Sequence, residues 1–80
     1  MEKSISTPEQ RKLQELLRQV RLGAGLRQQD LAKKLAQPQS FVSKYESGER
    51  RLDLLEIRQI CQALGISLRE FVERLEKSLA

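Results

Sequence analysis

The stretch QQDLAKKLAQPQSFVSKYES, residues 28–47, decides the fold. Leu31, Ala32 and Leu35 sit at i, i+1 and i+4, one stripe of an α-helix. Val42 and Tyr45, three apart, form a second stripe after a break at Gln37–Pro38. A proline disfavours helical geometry at the residue before it and suits the first position of a new helix. The pattern therefore predicts one helix over about 28–36 and another over about 38–46, joined by a tight turn. Gln39, Ser40, Ser43 and Lys44 can all hydrogen-bond, and none is needed for a core.

Outward from this stretch, the chain reads as helices throughout, with no strand pattern. Thr7-Pro8-Glu9-Gln10 is a helix start, with a hydroxyl N-cap, proline at the first position and Gln three residues after the cap. The helix it opens runs to about Leu22, with Leu13, Leu16, Leu17 and Val20 on one face, and Gly23-Ala24-Gly25 ends it. Beyond the polar connection 47–51, Asp53 and Glu56 form a capping pair. Leu54, Ile57, Ile60, Cys61 and Leu64 then face inward up to Gly65. Ser67 and Glu70 repeat the capping box before a last helix over about 68–79, striped with Leu68, Phe71, Val72, Leu75 and Leu79. The expected organisation is a flexible polar lead at 1–6 and one all-α, compact five-helix domain at 7–80.

Composition narrows the chemistry. Eighty residues make one domain with a modest core. There is no histidine, hence neither the commonest general base nor the commonest metal ligand. No metal-ligand cluster or phosphate-binding loop can be assembled, so neither an enzyme nor a cofactor is expected. The single cysteine, Cys61, cannot form an internal disulfide, which fits a reducing, cytoplasmic setting. It is expected as a small buried apolar residue, Tyr45 as core, and Phe41 as partly packed against the domain. No apolar run approaches a membrane span and residues 1–20 lack the apolar stretch of a signal peptide, so a soluble, intracellular protein is expected.

Charge is unevenly placed. Residues 1–20 carry four Lys/Arg and three Asp/Glu, residues 21–51 seven and three, and residues 52–80 four and five. The whole excess lies on the two helices around the turn and the loop after them. Two short helices and a tight turn with polar residues along the second make a helix-turn-helix. A basic patch coinciding with one is the electrostatic footprint of a nucleic-acid face.

From Leu17 to Phe71 the residues resemble the Cro/CI-type helix-turn-helix repressors, the XRE family. The resemblance rests on Leu26, Gln28, Leu31-Ala32, Leu35, Gln39, Val42-Ser43, Tyr45-Glu46-Ser47-Gly48 and Ala63-Leu64-Gly65-Ile66-Ser67 taken together. It implies a lambda-repressor-like domain that binds double-stranded DNA. Gln39 would read adenine, since a carboxamide matches N6 and N7 in the major groove. Ser40, Lys44 and then Ser43 would reach base edges or nearby phosphates. Gln28 would contact a phosphate and brace the reading helix, and the two glutamines could hydrogen-bond each other. Ser47 and Gly48 would offer backbone N–H groups to phosphate, and Arg50 and Arg51 would add cationic contacts. Arg21 and Glu46 resemble the family's internal ion pair.

Three positions depart from the family pattern. Arg27 stands where a hydroxyl N-cap is expected; it forgoes a cap worth ~1 kcal/mol but adds a phosphate ligand. Pro38 cannot donate a backbone N–H, and Ala36 replaces a turn glycine, a mild change. Val72, Leu75 and Leu79 extend the last helix's stripe beyond what so small a core needs, which points to a homodimer contact. The resulting expectation is a homodimeric transcriptional regulator, a repressor, on a pseudo-palindromic site. The rival reading of the same stripe is an interaction module of antitoxin or bridging type with a protein partner.

Overall fold

The computed structural model describes residues 7–80, so the lead expected at 1–6 lies outside the described residues. Five helices follow in order: α1 (Pro8–Gly23), α2 (Gln28–Lys34), α3 (Gln39–Ser47), α4 (Leu54–Leu64) and α5 (Leu68–Leu79). No strand occurs among the described residues, and no helix there is long and apolar enough to cross a membrane.

Short polar side chains write three of the helix starts. Thr7 Oγ1 accepts from the Gln10 N–H at 3.0 Å. Asp53 accepts from the Glu56 N–H at 2.8 Å while Glu56 accepts from the Asp53 N–H at 2.9 Å, a full capping box. At α5 only half of the expected box forms: Ser67 Oγ accepts from the Glu70 N–H at 3.0 Å, and the Glu70 carboxylate turns to Arg74 one turn on.

The start of α2 differs from expectation. Arg27 is its N-cap, and a guanidinium cannot accept a hydrogen bond. Asp30, three residues on, instead accepts from the Arg27 backbone N–H at 2.9 Å and from its Nε and Nη2, both at 3.0 Å. The end is thus closed from the N3 side, with a carboxylate at the positive pole of the helix. The Arg27 guanidinium and backbone N–H together hold the Asp30 carboxyl down, to about 2.

The turn also corrects the sequence reading. Helix α2 stops at Lys34, and Ala36 takes φ +56°, the left-handed region. Replacing glycine there is not mild, because an L-residue in this region carries roughly 1–2 kcal/mol of steric strain. Pro38 is the N-cap of α3 rather than its first helical residue; its ψ of 156° keeps it extended, and Gln39 opens the helix.

The core gathers Leu17 and Val20 of α1, Leu31 and Ala32 of α2, Val42 and Tyr45 of α3, Ile60, Cys61 and Leu64 of α4, and Phe71 of α5. Leu54 was expected to face inward yet is 62% exposed, beside Leu55 at 69%. It lies on the same stripe, but burial deepens only along α4, through half-buried Ile57 to Ile60 and Cys61, so its first turn overhangs the body. Phe41 is half-buried and meets Tyr45 edge to face, ring centroids 5.5 Å apart. Tyr45 is sealed in, and burial pushes its hydroxyl pKa well up.

Candidate nucleic-acid interface

Helix α3 presents two opposed arcs. At about 100° per residue, Val42 and Tyr45 share the inward side, and Gln39, Ser40, Ser43 and Lys44 fan over the other. Gln39, Ser40 and Lys44 are exposed. Ser43 sits at the edge of the arc, half-buried, and its Oγ donates to the Ser40 carbonyl at 3.2 Å.

A chain of polar contacts ties this arc to α1. The Arg21 guanidinium meets Glu46 in a two-pronged pair, Nε to Oε2 at 2.7 Å and Nη2 to Oε1 at 3.0 Å. Both side chains are almost fully buried, at 7% and 4% exposure. Arg21 Nη1 also donates to the Leu26 carbonyl at 2.8 Å, tying down the loop before α2. The hydrogen bonds to Glu46 raise the Arg21 pKa. Gln28 Nε2 donates to the same Glu46 Oε1 at 3.0 Å, and Gln39 Nε2 donates to Gln28 Oε1 at 3.4 Å. Four residues from three helices thus form one network ending at the surface of α3. The Gln28–Glu46 link had no counterpart in the sequence reading, and no local spacing signals it.

The loop after α3 is a correction. Gly48 adopts φ +92° as the C-cap of α3. Its N–H, the Glu49 N–H (2.9 Å) and the Arg50 N–H (3.2 Å) all converge on the Lys44 carbonyl. Ser47 Oγ donates to that carbonyl as well, at 3.1 Å. The backbone donors expected to face phosphate at Gly48 are therefore turned back onto the helix end they cap. Gly48 is also buried: a Cβ there would lie 3.0 Å from Gln14 Nε2. Ser47 keeps an exposed hydroxyl oxygen able to accept.

Cations surround the α3 arc with differing freedom. Arg27 is largely exposed but paired with Asp30. Arg50 grips Glu56 through Nη2 at 2.8 Å and Nη1 at 3.2 Å, and its guanidinium lies 4.9 Å over the Phe41 ring. The Arg50 hydrogen bonds, with that from the Asp53 N–H, lower the Glu56 pKa. Lys33 and Lys34 at the end of α2, Lys44 on α3 and Arg51 in the loop are exposed. A convex polar helix ringed by cations suits a groove in an anionic polymer. Helix α5, packed on α1 and α4, exposes Val72 (40%) and Leu79 (36%), with Leu75 half-buried between them in sequence.

Comparison with known proteins agrees with this geometry. The model of a helix-turn-helix family matches residues 17–71. Among solved structures, an XRE-family like protein from Pseudomonas syringae pv. tomato str. DC3000 superposes with a TM-score of 0.85 at 38% identity, covering 96% of this chain and 94% of that one. The wild-type restriction-modification controller protein C.Esp1396I gives 0.85 at 27% identity, over 92% and 97%. The tetramer of that protein in complex with its natural 35 base-pair operator gives 0.82 at 28% identity, over 90% and 95%. No curated protein matches the chain.

Proposed function

This chain belongs to the XRE-type helix-turn-helix family, and on that premise we propose that it is a DNA-binding transcriptional regulator. Helix α3 enters the major groove of an operator, with Gln39 bidentate on an adenine and Ser40, Ser43 and Lys44 on the flanking edges and phosphates. Arg27, Gln28, Ser47 and Arg51 contact the backbone. Arg50 joins them only by giving up part of its Glu56 pair. The observation that carries this reading is the outward arc of α3, polar and exposed, with its leading glutamine held by a second glutamine. The operator complex of a relative superposing over most of both chains supports it.

The active form is a homodimer. Val72, Leu75 and Leu79 supply an apolar stripe that a second copy can cover about a two-fold axis, and two reading helices would then lie about 10 base pairs apart. We infer that it acts as a repressor in the cytoplasm, since a regulator seated on an operator that overlaps a promoter would exclude polymerase.

Selection from a random duplex library at near-physiological salt tests this. An enriched site with two-fold symmetry and half-sites one helical turn apart is expected. Enrichment without symmetry overturns the dimer. No enrichment by a demonstrably folded protein overturns DNA reading and leaves a protein-interaction module.

A further inference from the structure

Arg50 is held by three neighbours. Its Nη2 donates to Glu56 Oε2 at 2.8 Å and its Nη1 to Glu56 Oε1 at 3.2 Å. Nη1 also donates to the Arg51 carbonyl at 3.0 Å, and the guanidinium carbon lies 4.9 Å from the centroid of the Phe41 ring. Ser40, Phe41 and Lys44 of α3 line one surface groove with Arg50 and Glu56. The cation thus stands beside the reading arc, 40% exposed, with its charge already balanced by Glu56. A phosphate on the remaining edge of the guanidinium would face that carboxylate across a single planar group, inside the Debye length of ~8 Å. Glu56, by contrast, does not depend on Arg50. Its Oε1 also accepts from the Asp53 N–H at 2.9 Å, at the positive end of α4. Exchanging Glu56 for a phosphate therefore strands neither charge: Arg50 gains a new anion, and Glu56 keeps its helix cap.

We propose that Glu56 competes with DNA phosphate for Arg50 and so sets how tightly the domain holds a duplex. This rests on α3 being the DNA-facing helix. In the free protein Glu56 keeps Arg50 over Phe41. On DNA the guanidinium turns from α4 to the phosphate backbone, which uncovers Phe41 between Ser40 and Lys44. A phosphate contact carries no sequence information. Glu56 therefore lowers affinity for every duplex alike and leaves base choice to the arc of α3. The capping box of α4 does not require the charge, since glutamine closes such a box as well. The competition is what the carboxylate adds.

The test compares wild type, Glu56→Gln, Arg50→Met and the double variant. Each is titrated by fluorescence anisotropy with the duplex selected from the random library and with a scrambled duplex, at salt from about 50 to 200 mM. Glutamine keeps the cap and removes the charge. Methionine leaves apolar bulk on Phe41 without a cation. Glu56→Gln should bind both duplexes about twofold to fivefold tighter, with the ratio between them unchanged. In the Arg50→Met background the same substitution should change affinity by less than about 1.5-fold, the residue of one fewer negative charge near the duplex. An equal gain with and without Arg50 overturns the proposal and leaves a general field effect. Unchanged or weaker binding by Glu56→Gln also overturns it, and makes Glu56 a support that aims Arg50 at the duplex. Selective binding by wild type in that case shows that DNA reading stands while this proposal falls. If folded wild type binds neither duplex, both fall. Proton contacts between the Phe41 ring and the Arg50 side chain give a direct readout by NMR. Present in the free protein, they should vanish at saturating operator, and their persistence contradicts the exchange.

Discussion

Removing Glu46 alone should damage this domain far more than removing both members of its ion pair. In Glu46→Ala, Arg21 remains as a guanidinium whose side chain is 7% exposed and whose only remaining acceptor among the described residues is the Leu26 carbonyl. Three donors lose their partner at once: Arg21 Nε, Arg21 Nη2 and Gln28 Nε2. Breaking a buried pair from one side typically destabilises by ~3–5 kcal/mol, because an uncompensated charge stays behind. An 80-residue domain has roughly 5–10 kcal/mol in total. At ~4–8 °C per kcal/mol the melting temperature should fall by at least ~12 °C. Arg21→Met combined with Glu46→Leu removes both charges and keeps apolar bulk, and such replacements are often neutral or stabilising. Urea denaturation followed by far-UV circular dichroism measures both variants. A loss below ~1 kcal/mol for Glu46→Ala, or a double variant as unstable as the single, would refute the argument from burial.

Three further outcomes follow from other parts of the structure. Ala36→Gly should stabilise by ~0.5–1 kcal/mol, because relief of ~1–2 kcal/mol of left-handed strain exceeds the added entropy of glycine in the unfolded chain; a lower urea midpoint would contradict the observed φ of +56°. Asp30 ionises more readily folded than unfolded, its pKa being about 2 against an ordinary 3.8. Its contribution is therefore present above about pH 4 and lost as pH falls toward 2, and Asp30→Asn should flatten that part of the acid unfolding profile measured by circular dichroism. Leu75→Asp should leave a folded monomer with weakened operator binding, read by sedimentation equilibrium; an unchanged mass would place the dimer contact elsewhere.

Much of this architecture was legible because its causes are local. The caps at Thr7, Asp53 and Ser67 act across three residues, and the inward and outward arcs of α3 are a consequence of 3.6 residues per turn. Other features were misread for equally physical reasons. Periodicity put Leu54 on the inward face, but a stripe says which side of a helix is apolar and not whether a neighbour reaches its first turn. A missing hydroxyl at Arg27 looked like a missing cap, whereas Asp30 closes that helix from the other direction. Gly48 marked a helix stop correctly, yet the same left-handed turn that ends α3 directs its backbone donors inward rather than toward a phosphate.

The sequence by itself determined five helices, the turn between α2 and α3, the polar reading face, and the concentration of positive charge around it. All are set by composition or by neighbours within one helical turn. Only the tertiary structure decided which of those charges are engaged and in which direction the amides point. Arg21 and Glu46 are 25 residues apart, Gln28 and Glu46 are 18 apart, and Gln28 and Gln39 are 11 apart. Hydrogen bonds and ion pairs depend on distances of about 3 Å in space, and the packing of α1, α2 and α3 sets those distances.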